Sequence, residues 1–240
     1  ANMPLHGNNG VFVADPASYI AGNPCVLFAE IDEAVGPAAG AAAGHTIQRA
    51  YNSVGVGTFG RRFIDTGAVR FSARIYTSGL VPWASEIKVF ESAGGKVITF
   101  LPWQADVCSV VTLDPAADMM LTGPLSGCCV YIAERTGFPP LFLHANANDQ
   151  DGLRASKCDR FRSAASLRTR RIAQNNAHKD AEADRIARSY GYTLRRRLAR
   201  GEYDIPAFVW GYRMGTTWYC FVHELDLTNQ TCTNTPLSTA

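Results

Sequence analysis

The stretch from Leu121 to Asn148 reads LTGPLSGCCVYIAERTGFPPLFLHANAN and predicts a β-hairpin. The run at residues 128–133 is short, apolar and rich in residue types that favour strands. Leu141 to Ala145 is a second apolar run. Between the two runs, Gly137 and the pair Pro139–Pro140 mark the connection. We therefore expect two antiparallel strands that meet at this turn.

The register of this hairpin decides whether a cysteine and a histidine come together. If Ala133 lies opposite Leu141, then Cys128 and His144 share one face, because side chains alternate along each strand and antiparallel partners have a constant sum of residue numbers. The two residues are then diagonal neighbours, which is within reach of an imidazole. A slip of one residue would separate them, so the predicted pair depends on the register.

A Cys/His pair of this kind is typical of thiol catalysis. His144 can take the thiol proton of Cys128 and leave a thiolate, which is the nucleophilic form. Ser126 and Gly127 supply a tight approach whose main-chain N–H groups can turn toward a developing oxyanion. The alternative is that Cys128 and Cys129 are core thiols and that His144 is a structural histidine, because free cysteine is among the most buried residue types.

The same stretch resembles the catalytic motif of a superfamily of glutamine deamidases that includes cytotoxic necrotizing factor, Burkholderia lethal factor and the bacterial chemoreceptor glutamine deamidase. The toxins carry a Leu-x-Gly-Cys motif at the nucleophile, which residues 125–128 match, and a histidine on a following strand, which His144 matches. Several members have a threonine six residues before the cysteine, as Thr122 is here. The resemblance is confined to this stretch, and the doubled Cys128–Cys129 departs from the motif.

The resemblance implies a protein glutamine deamidase with Cys128 as nucleophile, His144 as general base and acid, and Thr122 positioning the substrate or the histidine. It also implies a bacterial toxin or effector, secreted or delivered into the host cytosol, with a host protein such as a small GTPase or a translation factor as substrate. The chemistry requires no metal or organic cofactor. A transglutaminase or a cysteine protease on the same pair stays open.

Composition predicts a globular chain of one domain. Apolar residues make up 47% of the 240 residues and charged residues 18%. No apolar run reaches the ~18 residues that a membrane span needs. The seven cysteines include no Cys-x-x-Cys pair, so a structural zinc site is not expected, and their odd number fits a reducing working environment.

Strands are predicted before residue 150 and after residue 205, with one helical block between them, which indicates an α+β fold. The resemblance adds a central mixed β-sandwich with flanking helices. Residues 1–24 and the tail 228–240 are expected to be loop-like or frayed. The predicted elements are a strand at Val26–Ile31, a helix at Asp32–Asn52, strands at Val69–Tyr76 and Val107–Leu113, a hairpin of Glu86–Phe90 with Lys96–Phe100 around residues 92–95, and a final hairpin of Ala207–Tyr212 with Trp218–Leu225.

Residues 153–200 form a basic block that is predicted to be helical. Between Arg154 and Arg200 there are 14 Lys and Arg residues against four acidic residues. We interpret this block as a surface for an acidic partner, with Arg195, Arg196 and Arg197 as substrate-binding residues. The alternatives are a solvated helical face and a non-enzymatic basic binding module, although nucleic acid is not the expected partner.

The final hairpin carries a further histidine, His223, beside Glu224. It is interpreted as structural, and a role as second base or orienting group is the alternative.

Overall fold

Most of the regular structure in this protein is β-strand. The computed structural model describes residues 6–31, 54–56, 62–65, 71–79, 81–91, 97–101, 108–125, 127–145, 164–199, 201–204 and 206–239. The expected helix at Asp32–Asn52 lies outside these residues. In chain order the described elements are α1 (Asn9–Ala14), α2 (Pro16–Gly22), β1 (Cys25–Ile31), β2 (Val54–Val56), β3 (Arg62–Asp65), β4 (Phe71–Thr77), β5 (Ser85–Glu91), β6 (Ile98–Leu101), β7 (Cys108–Thr112), β8 (Met119–Thr122), β9 (Cys129–Glu134), β10 (Leu141–Ala145), α3 (Ala164–Ser189), β11 (Thr193–Leu198), β12 (Ala207–Met214), β13 (Thr217–Asp226) and β14 (Thr231–Thr239).

The strands form two sheets, and each sheet mixes parallel and antiparallel neighbours. The eight-stranded sheet has the order β1-β5-β4-β6-β8-β12-β13-β14, and the six-stranded sheet has the order β11-β9-β10-β7-β3-β2. The pairs β1–β5, β6–β8 and β3–β7 are parallel, and the other pairs are antiparallel. The fold is therefore β-rich, and the predicted mixture of strand directions is confirmed.

One apolar core draws side chains from both sheets. Because side chains alternate along a strand, each sheet contributes one face to it. Fully burying one large aliphatic side chain stabilises the fold by about 1.5–3 kcal/mol, so this shared layer accounts for much of the stability. Its members include Leu101, Met120, Val209 and Val222 from the eight-stranded sheet and Val111, Cys128, Val130, Ile132 and Phe142 from the six-stranded sheet.

Each sheet also packs helices on its other face. Ala183, Ile186 and Ala187 of α3 cluster with Tyr131 and Leu143 of the six-stranded sheet. On the eight-stranded sheet, α1 and α2 contribute to a separate cluster whose members include Phe12, Tyr19, Ile20, Phe71, Phe100 and Trp210.

The loop-like interpretation of residues 1–24 is wrong over α1 and α2. These helices are too short to be stable alone, and packing stabilises them. Phe12 and Ile20 are fully buried. Pro16 occupies the first turn of α2, and the Asp15 side chain caps it by accepting a hydrogen bond from Ser18 N–H at 3.1 Å.

Two predictions about the eight-stranded sheet need correction. The strands β5 and β6 exist, but they do not form a hairpin, because β4 lies between them in the sheet. The tail is not frayed: β14 pairs antiparallel with β13 from Asp226–Thr231 to Tyr219–Thr239. The final hairpin is confirmed as β12 and β13, and β12 joins the sheet through β8.

The basic block is helical only in part. The helix α3 ends at Ser189, and Gly191 then takes a positive φ of 77°. The chain continues as β11, which pairs antiparallel with β9 and buries Leu198, so the predicted helix over 193–198 is wrong. No helix in the described part of the chain is long and apolar enough to cross a membrane.

Candidate active site

The hairpin register under which Cys128 and His144 share a face is the one observed. In the β9–β10 ladder Leu141 lies opposite Ala133, and His144 lies opposite Val130. Cys128 precedes β9 by one residue, so it is diagonal to His144 on the same face, where Cβ atoms are about 7 Å apart. This face is the one that enters the core shared by the two sheets, because Val130 and Cys128 are both members of that core.

Both side chains of the predicted pair are buried. Cys128 is 0% exposed and His144 is 1% exposed. Among the described residues, neither ring nitrogen of His144 has a hydrogen-bond partner. A buried polar atom without a partner costs about 1–3 kcal/mol and calls for a reason, such as a catalytic role.

Burial also determines the charge of His144. Burial is the main cause that lowers the pKa of this imidazole from 6.5 to about 3. The positive charge of Lys179 contributes to the same fall, whereas the main-chain carbonyl of Leu101 has a weaker, opposite effect. The Leu101 contact falls short of a hydrogen bond, since the ring nitrogens have no partner in the described ranges. His144 is therefore neutral at physiological pH, which is the state that can accept a proton.

The lowered pKa of His144 predicts a loss of stability in acid. Between pH 6.5 and about 3 the unfolded chain binds a proton that folded His144 does not, so the free energy of unfolding falls as the pH drops through this window. The fall is at most about 1.4 kcal/mol per pH unit for each such group, and His223, whose pKa burial also lowers, acts in the same direction. Urea unfolding from about pH 7.5 to 5 measures it. We expect a shallower pH dependence in His144→Gln, and an unchanged one would contradict this account.

Two side chains from distant parts of the chain hold the main chain at Gly127 and Cys128. Lys179 of α3 is buried, and its Nζ donates to the Gly127 carbonyl at 2.7 Å. The Tyr203 hydroxyl accepts from Gly127 N–H and donates to the Cys128 carbonyl, both at 3.0 Å. Gly127 takes a φ of 108°, so the tight approach predicted from this glycine is present.

These bonds change the expected oxyanion site. Gly127 N–H is already bonded to Tyr203, so in this conformation it does not face an open oxyanion position. Ser126, the other predicted contributor, lies outside the described residues. An oxyanion bound here would have to displace the Tyr203 hydroxyl from Gly127 N–H.

We expect Tyr203→Phe to destabilise the fold by about 1–3 kcal/mol, because the Cys128 carbonyl and Gly127 N–H both lose their partner. Chemical denaturation measures the change. Tyr192→Phe is the matched control, since among the described main-chain groups its hydroxyl bonds only the Pro139 carbonyl, whereas the Tyr203 hydroxyl bonds two, and a smaller effect is expected there. If both variants lose the same free energy of unfolding, the two main-chain hydrogen bonds of the Tyr203 hydroxyl do not stabilise the fold more than an ordinary tyrosine contact does.

Thr122 is buried at the end of β8, and strand alternation directs it into the same shared core as Met120. Its hydroxyl donates to the Gly123 carbonyl at 2.9 Å and accepts from Val209 N–H at 3.0 Å. Both bonds are to main chain, so Thr122 joins β8 to β12. Thr122 makes no hydrogen bond to the His144 ring in the described residues, and its contact with substrate stays a prediction.

Ser109 is a polar member of this layer that the sequence interpretation missed. It lies directly opposite His144 in the β7–β10 ladder. It is fully buried, and its Oγ has no partner among the described residues. Strand β7 was predicted from the sequence. Its pairing with β10 was not, because no local sequence pattern indicates which distant strand β7 pairs with.

Cys129 lies on the opposite face, as its place in the strand requires. Its Sγ contacts Asn176 Oδ1 of α3 at 3.4 Å. The Tyr131 hydroxyl on the same face donates to Asp180 at 2.7 Å, and Arg197 bonds the other oxygen of that carboxylate at 2.7 Å. The doubled cysteine thus places one thiol between the sheets and the other beneath α3.

The three predicted substrate-binding arginines lie on strand β11 and point to different surroundings. Arg195 pairs with Glu134 at 3.3 Å, and Arg197 pairs with Asp180. Arg196 has no ion-pair partner in the described part of the structure. All three arginines are exposed. They lie on a strand and not on the helix that was expected, so they do not form one patch on a helix surface. Their role in substrate binding stays a prediction.

His223 has the contacts of a structural histidine. Its Nε2 accepts from Cys25 N–H at 3.1 Å, so its Nδ1 carries the proton and donates to Asn234 Oδ1 at 3.0 Å. Both ring nitrogens are therefore used within the fold.

Within the described residues, no group of three or more His, Cys, Asp or Glu side chains is arranged to hold a metal ion. No protein-family model matches the chain, and a search of curated proteins finds no relative.

Proposed function

We propose that this chain is a protein glutamine deamidase that uses Cys128 as nucleophile and His144 as general base and acid. The observation that carries the proposal is the diagonal placement of Cys128 beside an imidazole that is buried, neutral and without a hydrogen-bond partner in the described residues. An unsatisfied imidazole next to a thiol is costly as core packing and useful as a proton acceptor. The motif at residues 122–128 supports the same assignment by resemblance, as does a mixed two-sheet arrangement with helices outside.

The reaction needs only these two side chains and water. His144 accepts the Cys128 proton, and the sulfur forms a bond to the carboxamide carbon. The imidazolium then gives its proton to the nitrogen, the C–N bond breaks, and ammonia leaves. Water, deprotonated by His144, attacks the thioester, and the sulfur departs as glutamate forms.

The buried state of the pair means that this conformation is closed. A glutamine side chain reaches Cys128 only after the packing around this thiol opens. The bonds from Lys179 and Tyr203 hold the adjacent main chain at Gly127 and Cys128 in the closed conformation. Opening would also admit water to His144 and raise its pKa, because burial is the main cause of the low value. Substrate entry and activation of the base are thus coupled.

A transglutaminase and a cysteine protease use the same acyl-enzyme, and only the attacking group or the bond broken differs.

A non-enzymatic binding module is the second candidate, and the complete burial of Cys128 and His144 favours it. In that case both are core residues.

The deciding experiment is intact-mass spectrometry of candidate substrate proteins after incubation with the chain. Deamidation replaces NH₂ by OH and releases ammonia, whereas transglutamination adds a whole amine and proteolysis splits the substrate. The same chain with Cys128→Ser is the blank. A binding module leaves every candidate mass unchanged.

Iodoacetamide labelling of the native chain at mildly acidic pH is the complementary measurement. Among the described cysteines, Cys232 alone is not buried, and burial raises its pKa, so it should react slowly. Selective labelling of Cys128 would identify an accessible thiolate. Labelling of Cys232 before Cys128 would favour the binding module.

A further inference from the structure

Strand β11 forms one edge of the six-stranded sheet. Among the described strands it pairs with β9 alone, so its other side is not part of a ladder. An edge strand presents main-chain N–H and C=O groups that a further extended segment can use. Its six residues span about 20 Å, which is the length of a short bound strand.

A groove of about 860 Å³ adjoins the start of this edge. Thr193 and Arg195 of β11 form one part of its wall. The turn between β9 and β10, the segment after β7, the end of β12 and the start of β13 form other parts. The groove lies at the turn end of the β9–β10 hairpin, whereas Cys128 and His144 lie at the open end. The β9 strand between them puts about 20 Å between the two places.

The groove carries an excess of positive charge. Arg135, Arg195 and Arg213 line it, and Glu134 is its one acidic residue among those described. Two of the arginines hold exposed carboxylates of this chain: Arg195 pairs with Glu134 at 3.3 Å, and Arg213 pairs with Asp118 at 3.0 Å. Exposed ion pairs of this kind contribute about 0–1 kcal/mol, so carboxylates of another molecule can replace them.

The third arginine shows that the groove also has an apolar contact surface. The Arg135 guanidinium lies 3.8 Å from the centre of the Phe138 ring, and this ring is 52% exposed. A smaller hollow of about 280 Å³ lies farther along β11, between it and β14. Glu202 and Glu224 line that hollow together with Arg196 and Arg197, so it has no comparable positive excess.

We propose that the larger groove and the adjoining edge of β11 bind an extended acidic polypeptide segment, which adds to β11 as a strand. Its carboxylates contact Arg135, Arg195 and Arg213, and its main chain bonds to β11. The free edge favours a polypeptide over a compact anion, because a compact anion has no use for a row of main-chain groups. That this segment belongs to a substrate protein rests on the proposed deamidase function, whereas the binding itself does not.

Fluorescence anisotropy of the full chain with labelled peptides tests the proposal. The probe is a peptide of alternating Glu and Thr, about eight residues long to cover β11. Two further peptides test the contributions of charge and of main-chain hydrogen bonds. One has Gln in place of Glu, which removes the charge. The other keeps the charge but has Pro in place of Thr, which removes main-chain N–H donors. We expect tight, salt-sensitive binding of the first peptide and at least about 5-fold weaker binding of the other two.

The variants Arg195→Ala and Arg213→Ala should each weaken the acidic peptide by about 5-fold. Arg188→Ala is the matched control, because Arg188 is an exposed arginine that pairs with Asp184 at 2.9 Å on α3, and its side chain is not among the described groups that line the groove. It removes the same charge and should leave binding unchanged. Three results would each overturn the proposal. The wild type does not bind the acidic peptide, or it binds while the groove variants lose nothing, or all three variants lose the same amount.

Edge strands often carry charged side chains that prevent pairing, and this alternative makes the opposite prediction. If the arginines only block β11, Arg195→Ala increases binding of the Gln peptide, and the proposal fails. The assay involves no turnover, so its result is independent of whether Cys128 is catalytic.

Discussion

We expect Cys128→Ser to abolish the proposed glutamine hydrolysis, with a loss of about 10⁴-fold or more, the scale on which removal of a catalytic nucleophile acts. A serine hydroxyl is far less acidic than a thiol, so a general base that activates the thiol does not activate the hydroxyl enough. Ammonia release and the mass change of the substrate measure the loss. Because a hydroxyl in this apolar layer also destabilises the fold, Cys128→Ala is made in parallel, and circular dichroism and urea unfolding check that both variants are folded.

Cys129→Ser is the matched control for this experiment. It makes the same chemical change one residue away, on the face that contacts Asn176 beneath α3. We expect activity within a few-fold of the wild type. Loss of activity in Cys129→Ser with activity retained in Cys128→Ser would mean that the catalytic thiol lies on the α3 side. Activity retained in both would rule out a thiol mechanism at this hairpin.

His144→Ala is the second large effect, with an expected fall in rate of about 10²-fold or more, the usual scale for a lost general acid and base. Alkylation of Cys128 should slow as well, because the thiol loses its proton acceptor. Removing the ring leaves a cavity in the shared core, so His144→Gln, which keeps most of the volume, separates the chemical effect from the packing effect.

His223→Gln controls for the general consequences of replacing a buried histidine. His223 bonds to Cys25 N–H and Asn234, so its loss should lower the free energy of unfolding without a large change in rate per folded molecule. If His223→Gln lowers the rate as much as His144→Ala, the loss reflects stability, and the assignment of His144 as base is wrong.

Several elements were predictable because their signals are local. Gly137 and Pro139–Pro140 stop both strands of the hairpin, so the strands and their turn could be predicted. The register could only be assumed, because both strands are apolar runs that are buried on both faces. Met214, Gly215 and Thr216 likewise mark the turn between β12 and β13, where Gly215 takes a positive φ of 61°. In these cases a few consecutive residues are enough to specify the turn.

Other elements were not predictable because distant partners decide them. The run TLRRRL at 193–198 has the composition of a helix surface, yet it pairs with β9, and Leu198 enters the shared core. The tail from Thr231 to Thr239 is polar, and its ladder with β13 makes it a strand. Propensity is a weak prior in both cases, because the hydrogen bonds and burial gained from another strand outweigh it.

By itself, the sequence determined the hairpin, its turn and the condition under which Cys128 and His144 share a face, which is a register with Ala133 opposite Leu141; the ladder of the structure shows that this register holds. Only the tertiary structure decided that this face is buried, that Ser109 lies opposite His144, and that Lys179 and Tyr203 hold the main chain beside the thiol. The physical reason is that strand alternation is a property of neighbouring residues. Burial, pKa and strand order depend instead on which surfaces meet across more than 50 residues of chain, from Gly127 to Lys179.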